Sequence, residues 1–196
     1  MLSDLVRKNR SYRGYDESRR VTRGQLEALV ELARLCPSSI NLQPLKYVLS
    51  CEDKTNARIR PLIGWAGRLK DKRLPYPGHH PTAYIVVCFD ETVTPFAPTF
   101  LKDVGIVSQT MLLGAAEAGL GGCMIGNFSP QKLREALCLP DTLAPQLVIA
   151  LGTPDETIVL TDAAPGTDVG YYRDGKDIHY VPKRSIEESI ITLLEV

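Results

Sequence analysis

Ala83-Tyr84-Ile85-Val86-Val87-Cys88-Phe89 is a near-continuous apolar run, closed by Asp90 and Glu91. A strand with one wet face alternates polar and apolar residues, so a run without alternation predicts a strand covered on both faces. A chain built around such a strand needs further layers on each side of it, and the flanking sequence supplies helices. Thr22-Arg23-Gly24-Gln25 is a capping box, followed by Leu26, Leu29, Val30 and Ala33 on one face, which predicts a helix over 23–35 stopped by Pro37. Residues 101–118 read as the longest helix, with Val104, Val107, Met111 and Leu112 in one stripe. Gly105, Ser108, Gly114, Ala115 and Ala118 add small positions, so apolar and small residues cover most of its circumference. Either a buried central helix or a dimer interface fits that pattern.

Ser129-Pro130 starts a helix over 129–138, with Ser at the N-cap and Pro at the first helical position. Residues 2–9 read as a short amphipathic helix, and Ser185 with Glu188 forms a second capping box opening a helix over 185–194. Further strands are expected near 47–51, 121–126 and 146–151. Residues 155–180 read as polar and glycine-punctuated, with Tyr171-Tyr172-Arg173-Asp174-Gly175 as a turn or arm. Interleaved helices and strands without repeats predict one domain over 1–196, α+β or α/β.

Several function classes are disfavoured by composition. Lys+Arg 23 against Asp+Glu 23 leaves no net charge, so neither nucleic acid nor an anionic membrane is an expected partner. Five cysteines, at 36, 51, 88, 123 and 138, form no CxxC pair and lack zinc spacing, as expected of reduced intracellular thiols. Met1-Leu2-Ser3-Asp4 leads into too few apolar residues for a signal peptide, and no apolar run reaches membrane-spanning length, so the cytoplasm is the expected location. His79-His80 lie adjacent, face opposite ways on an extended chain and lack a third ligand, so no metal is assigned.

Four segments carry chemistry. Cys36-Pro37-Ser38-Ser39-Ile40-Asn41-Leu42-Gln43-Pro44 is a connection between helix and strand, dense in uncharged donors and acceptors. That suits a polar, planar ligand, though the same residue types also make ordinary turns. Arg10-Ser11-Tyr12-Arg13 offers two guanidinium groups and a hydroxyl; if extended, Ser11 and Arg13 point to one side, toward an anion or toward solvent. The glycines of Gly119-Leu120-Gly121-Gly122-Cys123-Met124-Ile125-Gly126 end a helix and begin a strand, the reverse of a dinucleotide fingerprint. Pro182-Lys183-Arg184 precedes the last capping box, where free amides beside two cations would bind an anion; a basic surface linker is the other reading.

In this order and spacing the four segments resemble the FMN-dependent nitroreductase family over nearly the whole chain, the stretch P-S-S-x-N-x-Q-P being the most specific part. The resemblance implies an α+β fold with a mostly antiparallel sheet flanked by helices, in an intertwined homodimer with two FMN sites at the interface. It assigns Arg10, Ser11 and Arg13 to the FMN phosphate and part of the ring, with Lys183 and Arg184 completing the phosphate site. Pro37, Ser38, Ser39 and Asn41 would reach the flavin of the partner subunit, with Gln43 near it. The backbone of Met124, Ile125 and Gly126 would pass the flavin, with an amide close to N5. The implied chemistry is hydride transfer from NAD(P)H through flavin N5 to a small-molecule nitroaromatic or quinone-like acceptor, with no acid–base side chain required. A flavin-fragmenting or other specialised reductase, a flavin-binding protein without turnover, and a thiol role for Cys123 are the alternatives. Asn9 and Leu45 depart from the pattern, standing where many relatives carry an arginine and an aromatic residue. Residues 62–80, with Trp65, Arg68 and Tyr76, are the candidate substrate cover.

Overall fold

The structure, a computed structural model, describes residues 1–191, which fold as two units. The first comprises Met1–Trp65 and Leu74–Asp155. Its elements are α1 (Leu2–Lys8), β1 (Tyr15–Asp16), α2 (Arg23–Arg34), β2 (Leu45–Ser50), α3 (Asp53–Ile59), β3 (Ala83–Asp90), α4 (Leu101–Glu117), β4 (Gly121–Ile125), α5 (Pro130–Leu137) and β5 (Leu143–Pro154). All pairings in its sheet are antiparallel: β2 pairs β3, β3 pairs β5, and β5 also pairs both β4 and β1. The mixed α+β class with a mostly antiparallel sheet is therefore observed.

The apolar run behaves as its lack of alternation requires. Ile85 and Val87 join Ile149 and Leu151 on one face, under Leu26 and Leu29 of α2 and Val107 and Met111 of α4. Tyr84, Val86 and Cys88 join Val148 and Ala150 on the other, under Ile59 of α3 and Leu133 of α5. Burial pushes the Cys88 thiol up to about 12, so it stays protonated.

Local signals set the helix starts. Thr22 Oγ1 accepts from the Gln25 amide at 3.2 Å while Gln25 Oε1 accepts from the Thr22 amide at 2.9 Å. Gly114 lets α2 approach α4 closely, since a Cβ there would lie 2.4 Å from Leu32 Cδ1. α4 is not buried all round: Val104, Val107, Met111 and Ala115 face the sheet, whereas Leu101, Gly105 and Ile106 are exposed in this chain. β5 runs beyond the expected 146–151 because the β3 register steps from Val87↔Leu147 to Cys88↔Pro145. A bulge at Gln146 lets a proline sit in an inner strand.

The second unit comprises Ala66–Arg73 and the chain from Glu156. The expected turn or arm is instead a three-stranded sheet of β6 (Ile158–Asp162), β7 (Tyr172–Arg173) and β8 (His179–Lys183), with β8 central, parallel to β6 and antiparallel to β7. Arg173 and Glu156 make an almost fully buried ion pair, and Arg173 Nη1 also donates to Asp177 Oδ2 at 2.7 Å. The segment Ala66–Arg73 is stapled to this sheet by Arg68–Asp168 at 2.8 Å and Lys72–Asp177 at 3.2 Å. The candidate cover at 62–80 is thus divided between the units, and Arg68 is engaged within its own. The last helix, α6 (Ile186–Ser189), is shorter than expected, because Ile190 is extended; Leu194 lies outside the described residues.

Candidate flavin site

Three of the four sequence segments lie in the first unit. The connection after α2 turns through Ser39–Asn41 with left-handed backbone at Ile40 (φ 46°), Asn41 (φ 58°) and Gln43 (φ 52°). For β-branched Ile40, whose side chain is 84% exposed, that conformation is a genuine outlier. A residue outside the motif holds it. Asp103, in the first turn of α4 and only 3% exposed, accepts the Ser38 hydroxyl at 2.7 Å and the Ser39 amide at 3.0 Å. Ser38 Oγ in turn accepts the Gln43 amide at 3.0 Å, and Gln43 Nε2 donates to Asn41 Oδ1 at 3.1 Å. Asn41 and Gln43 stand exposed, Ser39 half-buried. Below the loop is a cavity of about 230 Å³ whose walls include Pro37, Ser38, Leu45, Tyr47 and Asp103. Burial pushes the Tyr47 phenol up to about 12.

Nothing in the sequence motif marks Asp103. Its usable signal was an acidic residue opening a helix whose next positions, Val104 and Val107, are core. An anion in a first helical turn also meets the positive end of the helix dipole.

Arg10-Ser11-Tyr12-Arg13 runs beside β4, with Ser11 bridged to Gly122 and the Tyr12 amide bonded to the Gly122 carbonyl at 3.1 Å. The extended reading fails at Ser11. The Tyr12 amide also reaches the Arg10 carbonyl at 2.9 Å, a three-residue turn, and it leaves Ser11 exposed but Arg13 buried. Arg13 Nη1 donates to the Ser11 carbonyl at 3.0 Å. Arg10 Nη2 donates to the Val6 carbonyl at 2.6 Å, while its Nε is buried and finds no partner among the described residues. Desolvation pulls the Arg10 guanidinium below its usual range, the direction expected of a cation lacking an anion.

The glycines divide by role. Gly119 (φ +73°) ends α4. A Cβ on Gly121 would lie 2.4 Å from the Tyr12 ring, and one on Gly122 would lie 2.7 Å from the Ala150 carbonyl oxygen, so this chain fills the space at both. Gly126 has open space where a Cβ would be. Ile125 is buried and pairs with Val148 of β5, and Met124 packs toward α2 and α4. Cys123 is 4% exposed, inside the core.

Lys183 and Arg184 lie in the second unit and are both exposed. The helix-terminal amides beside them are engaged in part. The Ser185 hydroxyl accepts the Glu188 amide at 3.3 Å, Glu188 accepts the Ser185 amide at 3.4 Å, and Arg184 Nη1 pairs with Glu188 at 3.4 Å. The predicted capping box thus takes two of the amides that an anion there would use. His79 and His80 are also spoken for, by Asp155 at 3.0 Å and Glu17 at 2.7 Å.

The model of the nitroreductase family matches residues 6–153, most of the chain. The chain belongs to the nitroreductase family. This nitroreductase-family chain is 26% identical over 163 residues to the oxygen-insensitive NADPH nitroreductase of Helicobacter pylori, covering 68% of the chain and 77% of that protein. It is 25% identical over 174 residues to the iodotyrosine deiodinase of Thermotoga neapolitana, covering 80% and 90% respectively. Its fold matches the FMN-dependent nitroreductase of Clostridium difficile R20291 with a TM-score of 0.63 at 23% identity, covering 78% and 87% of the two chains. The matched family region includes the first three segments and excludes Pro182-Lys183-Arg184.

Proposed function

We propose that this nitroreductase-family chain is an FMN-dependent NAD(P)H oxidoreductase reducing nitroaromatic or quinone-like acceptors, working in the cytoplasm as a homodimer. The observation that carries this reading is the Pro37–Pro44 loop. It is held in a strained conformation that leaves neutral amide and hydroxyl groups outward, the mix of donors and acceptors a heteroaromatic edge requires. The relative named NADPH nitroreductase and the structural likeness to an FMN-dependent enzyme support the same reading.

The residues present fit flavin mononucleotide. Desolvated Arg10, with Nε buried and unsatisfied among the described residues, fits a phosphate; Gly126 leaves room for close approach. When bound, FMN supplies two-electron hydride chemistry between NAD(P)H and the acceptor. Arg10, Ser11 and Arg13 grip the phosphate end. Pro37, Ser38, Ser39, Asn41 and Gln43 of the second copy orient the ring, and the Met124–Gly126 backbone donates along its edge. Lys183 and Arg184 are kept as outer phosphate contacts on their charge.

The spacing supports sharing one flavin between two copies. The loop is tied to Asp103, whereas Leu112, nine residues on, meets Gly122 beside Ser11. At 1.5 Å per helical residue they lie about 13 Å apart along α4. The exposed side of α4, with Leu101 and Ile106, offers the apolar surface a second copy would cover.

Purified protein should be yellow, dimeric, and bleached by NAD(P)H, with colour restored by a nitroaromatic or quinone. Bound FMN that NAD(P)H never bleaches would instead favour storage or sensing. Arg10→Ala should loosen FMN by about 1.5–3 kcal/mol, or about ten- to 150-fold, read by flavin fluorescence titration. Arg184, 52% exposed and shared with Glu188, should matter less: Arg184→Ala should cost under about 1 kcal/mol. Turnover by Cys123→Ala should be unimpaired, because a thiol inside the core cannot meet substrate.

A further inference from the structure

The Pro37–Pro44 loop carries no charge, yet its shape depends on one. The Asp103 carboxylate lies 65 positions from Ser38 in sequence, and it is buried against the loop's inner side. An ionised carboxylate only accepts hydrogen bonds. The single hydroxyl proton of Ser38 is therefore committed inward, to Asp103 Oδ2 at 2.7 Å. The Gln43 amide then fills one of the two acceptor positions on Ser38 Oγ, leaving one acceptor position and no donor for anything outside. Asn41 is polarised the opposite way. Its Oδ1 accepts from Gln43 Nε2 at 3.1 Å, so its own amide hydrogens are what it can offer a ligand.

We infer that Asp103 is a positioning residue that sets both the backbone of the loop and the hydrogen-bonding sense of Ser38. Ser38 meets the ligand as an acceptor and Asn41 as a donor. Asp103 touches neither ligand nor reacting atoms; it acts through Ser38 and Ser39. The ligand's identity as a flavin rests on the proposed function, but the effect on the loop does not.

Two substitutions separate removal of the bonds from removal of the charge. Both bonds meet Asp103 at Oδ2, with Oδ1 also taking the Ser39 amide at 3.2 Å, so in Asp103→Asn an amide oxygen placed at Oδ2 can keep both. In Asp103→Ala both bonds vanish. Amide hydrogen exchange on flavin-free protein reads the backbone directly. Ser39 and Gln43 amides should exchange about tenfold faster or more in Asp103→Ala, and near the wild-type rate in Asp103→Asn. Ser38→Ala supplies a second variant that keeps the Asp103 carboxylate: the Gln43 amide should lose protection while Ser39 keeps it. FMN affinity should fall about tenfold in Asp103→Ala, where the Ser38 proton is released and the loop loosens, and stay within about threefold of wild type in Asp103→Asn.

Unchanged exchange at Ser39 and Gln43 in Asp103→Ala would overturn the positioning role. Wild-type FMN affinity in Asp103→Ala would overturn the assignment of polarity to Ser38. Altered exchange in a wild-type protein that ignores FMN would sink the proposed function and leave the positioning role standing.

Discussion

Phe89→Ala is expected to lower the unfolding free energy by about 3–5 kcal/mol, the range for truncating a fully buried aromatic side chain. Phe89 is completely buried at the end of β3, packed edge-on against Phe96 at 5.1 Å between centroids and tilted against Phe100 at 5.4 Å. Lost transfer energy and the cavity left behind act together, and two aromatic contacts go with them. The site is also placed to affect function. Phe100 precedes α4, Asp103 follows three residues later, and the Asp90 amide bonds the Pro44 carbonyl at 2.8 Å. Truncation should therefore loosen both ends of the Pro37–Pro44 loop. Denaturant unfolding followed by fluorescence gives the stability loss, and a raised FMN dissociation constant at a temperature where the variant is still folded gives the functional one. A loss below about 1 kcal/mol would mean that this cluster does not anchor the start of α4.

Arg173→Met should have a comparable effect, confined to the second unit. The Arg173 side chain is 3% exposed and that of Glu156 6%, so removing the guanidinium strips a buried carboxylate of its ion-pair partner. Breaking a buried pair from one side costs about 3–5 kcal/mol. Asp177, which Arg173 shares with Lys72, links the same network to the segment Ala66–Arg73. Amides of β6, β7 and β8, with those of Ala66–Arg73, should lose exchange protection together in Arg173→Met, while β3 and β5 keep theirs. The double variant Arg173→Met, Glu156→Leu should recover most of the loss, because no buried charge is left behind. Failure of the double variant to recover would indicate that the pair holds this small sheet in register.

What was legible in the sequence was local. The capping boxes at Thr22 and Ser185, the Ser129-Pro130 start and the unalternating run at Ala83–Phe89 each depend on neighbours a few residues apart, and each stands in the structure as read. The P-S-S-x-N-x-Q-P loop was legible as a connection and as a family feature. Its conformation was not, since Ile40 is a poor candidate for a left-handed backbone and Asp103 is remote in sequence. The turn at Ser11 arises from pairing with Gly122, so alternation along Arg10–Arg13 misled. The small sheet was hidden for a different reason. Its strands are short, β8 contains Pro182, and the order comes from ion pairs around Arg173 that leave no periodic trace.

α4 works as a ruler. It fixes the loop at Asp103 and backs Gly122 through Leu112, so the offset between the two segments is counted in helical turns. One residue inserted between them would advance the offset by only about 1.5 Å but swing one attachment about 100° around the axis. Changes of reach in this architecture must come in increments near seven residues, or through the loops, and never by gradual stretching.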